Sequence, residues 1–233
     1  MVRRCALWTA LFVLLPGTGA GAGGGLLSLR KKEQPGNDLP LEKLDDRQRQ
    51  LAKHVLDKPA FIAKGPSETF FCKPQQYQYI LDHPDRAVGA WRKLGAKCVT
   101  IAAKGEQLFA WSDDQGSEVT WETIHRGKEL HIWFAEGKVR PGAVMPLVPL
   151  KALVVMRHKE QRNPDGATLV QHQADLYVQT DSKTAAMMTR LLGPASQRLA
   201  EQGMGQLQLF FSGLSWYLDR HPDQAEELLK VEK

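Results

Sequence analysis

Cysteine is scarce in this chain of 233 residues, with three in all, and no two stand as Cys-x-x-Cys. Thiol redox chemistry and structural zinc therefore lack their usual ligand spacing. The seven histidines form neither His-Glu-x-x-His nor another metal-ligand spacing. A Gly-x-Ser-x-Gly elbow is missing, as are phosphate-binding glycine loops and any dinucleotide fingerprint set between a strand and a helix. These gaps set aside the hydrolases, nucleotidases and dehydrogenases that sequence reveals most readily. A bilayer-spanning run is lacking too. Cys5 to Leu15 is almost wholly apolar but has about half of the roughly 20 residues a span needs. No later stretch reaches that length without charges.

What that apolar stretch does have is the grammar of an export signal. Arg3 and Arg4 precede it, and Pro16-Gly17-Thr18-Gly19-Ala20-Gly21-Ala22 follows with the small residues a signal peptidase requires. The expectation is a signal peptide over residues 1–22, cleaved after Ala22, and a mature protein in the periplasm or cell envelope. A retained N-terminal anchor is the rival. Cys5 lies before the apolar segment, the wrong side for a lipidated cysteine. The formal charge of +5 is spread along the chain with acids interspersed. A nucleic-acid partner, which would favour a basic stripe, is not expected. Cys72 and Cys98 remain after processing, either as a disulfide in an oxidising compartment or as two buried thiols.

Residues 23–40, rich in Gly, Lys, Pro and Asn, read as a flexible linker. Residues 41–59 read as an amphipathic helix with a thin apolar stripe, lying on the domain surface. Short extended pieces follow at Phe61 to Lys64 and Glu68 to Cys72, then two short helices, Gln75 to Leu81 and Arg86 to Leu94. Asp82 is the expected cap of the second, with Pro84 in its first turn. His83-Pro84-Asp85 and His221-Pro222-Asp223 both carry the tripeptide of J-domain co-chaperones, but their surroundings fit ordinary helix starts.

Six strand-like runs come next: Cys98 to Ala102, Gln107 to Ser112, Glu118 to His125, Glu129 to Glu136, Leu150 to His158 and Thr168 to Gln179. The connections are too short for crossover helices, so these should be antiparallel neighbours. The loop Gly137 to Pro149 carries apolar residues, which fits a gate, an exposed patch for a partner or peripheral membrane contact, or simple packing. A long helical region runs from Asp181 or Ser182 to about Asp219, interrupted at Gly193-Pro194, with an apolar face that must be buried against the sheet. Residues 221–233 read as a tail.

Strand, two short helices, six antiparallel strands and a long C-terminal helix is the element order of the helix-grip fold. With the segment Tyr79-Ile80-Leu81-Asp82-His83-Pro84-Asp85-Arg86, it resembles the START-like (SRPBCC) superfamily over residues 60–220. The fold class implied is α+β, a curved antiparallel sheet wrapped around the C-terminal helix. The blocks Leu81-Asp82-His83-Pro84-Asp85-Arg86-Ala87, Leu94-Gly95-Ala96-Lys97-Cys98 and Gln173-Ala174-Asp175-Leu176 also resemble an uncharacterised bacterial family of exported proteins. The first resemblance implies an apolar cavity between sheet and helix for a lipid-like or aromatic ligand. It implies no cofactor and no metal.

Strand alternation puts His172 on the face of Val170, Ala174, Leu176 and Val178, toward the helix. It either meets the polar end of a ligand or is hydrogen-bonded internally. Trp111, Trp121 and Phe134 on neighbouring strands, with Leu176, Phe210, Leu214 and Tyr217, are the remaining candidate ligand contacts; ordinary core packing is the alternative reading of each. Met187, Met188 and Met204 add soft surface. Acids at Asp113, Asp114, Glu118, Glu122 and Glu136 occupy turn and solvent-facing positions, which argues against a catalytic pair. The expected role is non-covalent binding of a hydrophobic or amphipathic small molecule. The alternatives are an enzyme acting in the same cavity, marked by His172 beside a buried acid, and a cavity-less interaction protein.

Overall fold

The computed structural model describes residues 4–5, 36, 38–140, 146–181, 183 and 195–230. Leu41–Lys43 is a 3-10 turn, and α1 is Asp46–Asp57. A capping box starts α1: the Gln48 amide donates to Asp45 Oδ1 at 2.7 Å while the Gln48 side chain accepts from the Asp45 amide. Helices α2 (Pro74–Asp82) and α3 (Pro84–Lys93) each begin on a proline, where the missing N–H costs nothing. The long helix α4 is Ala195–Arg220, and α5 is Pro222–Leu229, also proline-led.

The two-residue strands β1 (Arg4–Cys5) and β4 (Lys97–Cys98) pair in parallel apart from the main sheet. That main sheet is antiparallel and eight-stranded. It contains β2 (Phe61–Lys64), β3 (Glu68–Phe71), β5 (Ala102–Gly105), β6 (Leu108–Ser112), β7 (Glu118–Arg126), β8 (Leu130–Val139), β9 (Val148–Arg162) and β10 (Thr168–Gln179). From β5 to β10 it is a meander, and β2 and β3 lie end to end along β10. The break between β2 and β3, at Gly65 to Ser67, is filled from α4. Gln208 Nε2 donates to Pro66 O at 2.6 Å, and Gln208 Oε1 accepts from the Ala174 amide at 3.3 Å. Gly65 leaves the room for this, since a Cβ there would meet Gln208 Oε1 and push that side chain aside.

Because side chains alternate along each strand, one sheet builds two cores. On one face Met204, Leu207, Phe210, Phe211, Leu214 and Leu218 of α4 meet Trp121, Trp133, Met156, Ala174 and Leu176. On the other, Ala52, Val55 and Leu56 of α1 meet Ile124, Ile132, Phe134, Leu153, Val155 and Tyr177. The helix-grip arrangement, a sheet with the C-terminal helix laid across it, is thus realised, with α1 as a third layer behind.

Several sequence expectations are corrected. Helix α1 does not merely rest on the surface: Val55 is fully buried and the stripe seals a second core. The end of the supposed linker is anchored, with Leu39 buried and Asp38 2.5 Å from Arg157, which also reaches Asp175 at 2.5 Å. The strand expected over Cys98 to Ala102 starts later. Lys104 and Gly105 lie in β5, a bulge absorbs the extra residue, and the turn falls at Gln107 with φ of 58°. The loop expected from Gly137 to Pro149 is shortened at both ends, because Val139 pairs with Val148 and Lys138 with Pro149. Residues 221–233 include a helix, α5, tied down by Lys93 Nζ donating to Glu227 O at 2.8 Å. Asp82 does not cap α3; His83 holds that position and the Asp82 carboxyl turns to the sheet. Cys72 is a buried thiol, and no Cys72–Cys98 disulfide forms.

The expected signal peptide, apart from Arg4 and Cys5, lies outside the described residues, as do most of the expected linker, the loop centre at 141–145, Met187, Met188 and the Gly193-Pro194 interruption. Among the described residues no helix is long and apolar enough to cross a membrane.

Candidate functional site

Three neighbouring strands each turn a histidine toward the α4 side. His131 on β8, His158 on β9 and His172 on β10 are 0%, 9% and 1% exposed. His158 and His172 are direct cross-strand partners, and His131 stands opposite Met156, two residues from His158 along β9. Helix α2 covers this row. The Tyr77 ring meets His158 edge-on at 5.3 Å between centroids and His172 at 5.7 Å.

Both ring nitrogens of His172 are used. Nδ1 lies 2.7 Å from the Tyr77 hydroxyl and Nε2 lies 3.2 Å from Glu68 Oε2. Burial holds the Tyr77 phenol well above its ordinary pKa, so it stays protonated and donates. Nδ1 then accepts, and Nε2 carries the hydrogen that Glu68 takes. Ser212 Oγ donates to the same Glu68 oxygen at 3.4 Å. The His172 pKa is lowered by burial, against which the Glu68 contact works.

His131 has a second acid beside it. Its Nδ1 is 3.7 Å from Asp82 Oδ1, and its Nε2 is 3.3 Å from Thr123 Oγ1. Asp82 is ion-paired with Arg126 and accepts from Gln78 Nε2 at 3.2 Å. Its pKa is raised by burial, with Gln78 and Arg126 opposing. Burial and the neighbouring His158 lower the His131 pKa to about 3, and burial with the neighbouring His172 lowers that of His158 to about 4.

Between α2 and the ends of β7, β9 and β10 opens a cleft of about 760 Å³. Tyr77, Gln78, Asp82, His158 and Val170 form its inner wall, and Arg126, Lys128, Glu129, Glu160 and Arg162 are on its rim. His158 Nε2 is shut from solvent and has no hydrogen-bond partner. The Trp111 and Trp133 indole nitrogens and one carboxylate oxygen each of Asp85 and Asp175 share that condition. No group of three or more metal-binding side chains occurs among the described residues.

Of the residues singled out from sequence, His172, Trp111, Trp121, Leu176, Phe210 and Leu214 all lie in the layer between sheet and α4. There they pack side chain to side chain. Phe211 stacks on Trp133 at 5.9 Å and meets Phe210 at 5.1 Å, and Met204, Leu214 and Leu218 are fully buried. Phe134 does not join them: it occupies the opposite face, under α1, because its parity on β8 is that of Ile132. Tyr217 stacks on His221 and donates to Gln224, next to α5. Only His172 among these residues belongs to the polar cluster beside the cleft. Sequence reading missed Glu68, Tyr77, Asp82, His131 and His158 as site residues, although the hairpin at Asn163-Pro164-Asp165-Gly166 sets the register that faces His158 with His172.

No protein-family model matches the chain, and no curated protein does. Among solved structures it is similar to a conserved protein from Geobacillus kaustophilus, at 14% identity and a TM-score of 0.42 over 66% of this chain and 96% of that one. A hypothetical protein from Helicobacter pylori is similar at 8% identity and a TM-score of 0.42 over 70% and 93%. The di-domain ARO/CYC BexL of the BE-7585A biosynthetic pathway is similar at 12% and 0.37, over 70% of this chain and 52% of that.

Proposed function

We propose that the protein is an exported member of the START-like superfamily that binds an amphipathic small molecule, with the ligand's polar end in the cleft beneath α2. One observation carries this reading: His158, in the cleft wall, keeps a buried ring nitrogen with no partner. Buried polar atoms are nearly always satisfied, so an orphan beside a cleft points to a missing partner. A ligand hydroxyl, able to donate and accept, matches either tautomer of a neutral imidazole. The cleft volume of about 760 Å³ falls within the roughly 300–1,000 Å³ of small-molecule sites. Its rim mixes Arg126, Lys128 and Arg162 with Glu129 and Glu160, which favours a polar head over a purely apolar one. The apolar faces of Tyr77 and Val170 would receive the ligand's body.

The test is native mass spectrometry of protein purified from its own host. A retained small-molecule adduct is expected, released or at least tenfold weaker in His158→Leu; a bare polypeptide mass would refute the reading. Export is supported by Arg3-Arg4 and the apolar segment after them. It predicts a mature N-terminus at Gly23, read from the same intact-mass spectrum.

A further inference from the structure

We propose that the ligand's polar end is a carboxylate seated at the N-terminus of α2, with the His158 ring and Arg162 as its other partners, so that the cleft takes an amphipathic carboxylic acid. The inference rests on the cleft being the small-molecule site argued above, and names the head group it receives. Pro74 and Gln75, the first residues of α2, line the cleft. This nine-residue helix starts without a side-chain cap, because Lys73 holds the N-cap position and makes no side-chain bond to the first turn. First-turn amides have no partner within a helix, so they and the positive end of the helix dipole are available to an anion.

His158 lies under the same turn. Its ring meets that of Tyr77, one turn on from Pro74, at 5.3 Å, and it is 9% exposed with Nε2 unpartnered. Burial keeps this imidazole neutral near pH 7, its pKa lowered to about 4, so one of its two nitrogens carries a hydrogen. A hydroxyl would satisfy either tautomer, whereas a carboxylate selects the one with the hydrogen on Nε2. Arg162 has the parity of His158 on β9, which turns it to the α2 side of the sheet, and it lines the cleft. Arg126 is already held by Asp82; Arg162 is exposed and in no ion pair among the described residues. The surrounding charges also limit the head group. Glu160, between His158 and Arg162 on the same face, and Glu129 line the cleft too. A phosphate dianion would face both acids, whereas the single charge of a carboxylate is matched by Arg162 and the helix end. The apolar chain would lie on Val170 and the Tyr77 ring.

Dodecanoate, dodecyl phosphate and dodecanol, each below the concentration at which it aggregates, are titrated into the full chain at neutral pH, with binding read by isothermal calorimetry. Dodecanoate should bind about tenfold more tightly than either of the others. Gln75→Glu places an acid in the first turn of α2, which favours the helix itself, so a loss of binding there cannot come from unfolding. It should weaken dodecanoate about tenfold and leave dodecanol unchanged, and Arg162→Gln should do the same. Equal affinity for the acid and the alcohol, or tighter binding of the phosphate, would overturn the carboxylate and leave the cleft as the site. Dodecanoate binding untouched by both variants would overturn the seat at α2. Absence of binding by all three would overturn both the head group and the cleft as a site for a ligand with an alkyl chain.

Discussion

The two faces of the sheet are built from the same strands and do different work. Under α1 the buried cluster is aliphatic save for Phe134 and Tyr177, and it holds no histidine. Under α2 and α4 the cluster contains Trp111, Trp121, Trp133, Phe109, Phe210 and Phe211, and three buried histidines adjoin it. On β8 the contrast alternates residue by residue: His131 and Trp133 face one way, Ile132 and Phe134 the other. A face that only excludes water needs no polar atom, whereas each buried nitrogen on the other face costs desolvation unless partnered. The three buried histidines all lie on the α2 and α4 side, beside the cleft proposed as the binding site, whereas the buried acid Asp175 shares the α1 side with Tyr177.

Acidification should break the comparison most forcefully. His131 and His158 are held neutral, with pKa values lowered to about 3 and about 4. The unfolded chain titrates near 6.5, so between pH 6.5 and 4 it binds more protons than the folded one. Each histidine then makes stability fall with pH by about 1.4 kcal/mol per unit. Asp82 and Asp175, whose pKa values burial raises, act in the opposite sense. The clean measure is therefore the difference in urea-derived stability between wild type and His158→Gln, and the variant should show the shallower loss. Parallel curves would mean that His158 is not held neutral by the fold.

Next in size, Leu153→Ala in the fully buried cluster under α1 should cost about 3 kcal/mol by urea denaturation. Binding in the cleft by the folded fraction should be unchanged. A weakened ligand would show that the two faces are coupled.

A smaller loss, about 2 kcal/mol, is expected for Gly65→Ala, because the new methyl group displaces Gln208 from the β2–β3 break. Hydrogen exchange should rise at the Ala174 amide, which Gln208 accepts from; continued protection there would show another acceptor taking over.

Least affected should be Arg47→Ala. Its ion pair with Glu122 bridges α1 to β7 at 2.8 Å, but the Arg47 side chain is 67% exposed. No change in Tm is expected, and a clear drop would show that α1 depends on more than its apolar stripe.

The front layer was largely legible. Thr168 to Gln179 matches β10 to the residue, and β6 to β9 follow the expected runs with changed ends, because half-buried strands write their period into the chain. Prolines 84 and 222 mark helix starts as expected. The role of α1 was not legible, since three buried residues in a twelve-residue charged helix make a weak stripe. The site was read from one member, His172. Its alternation was visible, but its partners come from other elements: Tyr77 lies 95 positions away and Glu68 104.

The sequence by itself determined which residues alternate, where helices begin, and that His172 must face inward, because these are properties of a few adjoining backbone units. Only the tertiary structure decided that α2 would lay Tyr77 across two histidines, that Asp82 would leave its cap for Arg126, and that Gln208 would fill the gap beside Gly65. Those contacts join segments far apart in the chain. Their geometry depends on how helices dock on a sheet, which local preference does not encode.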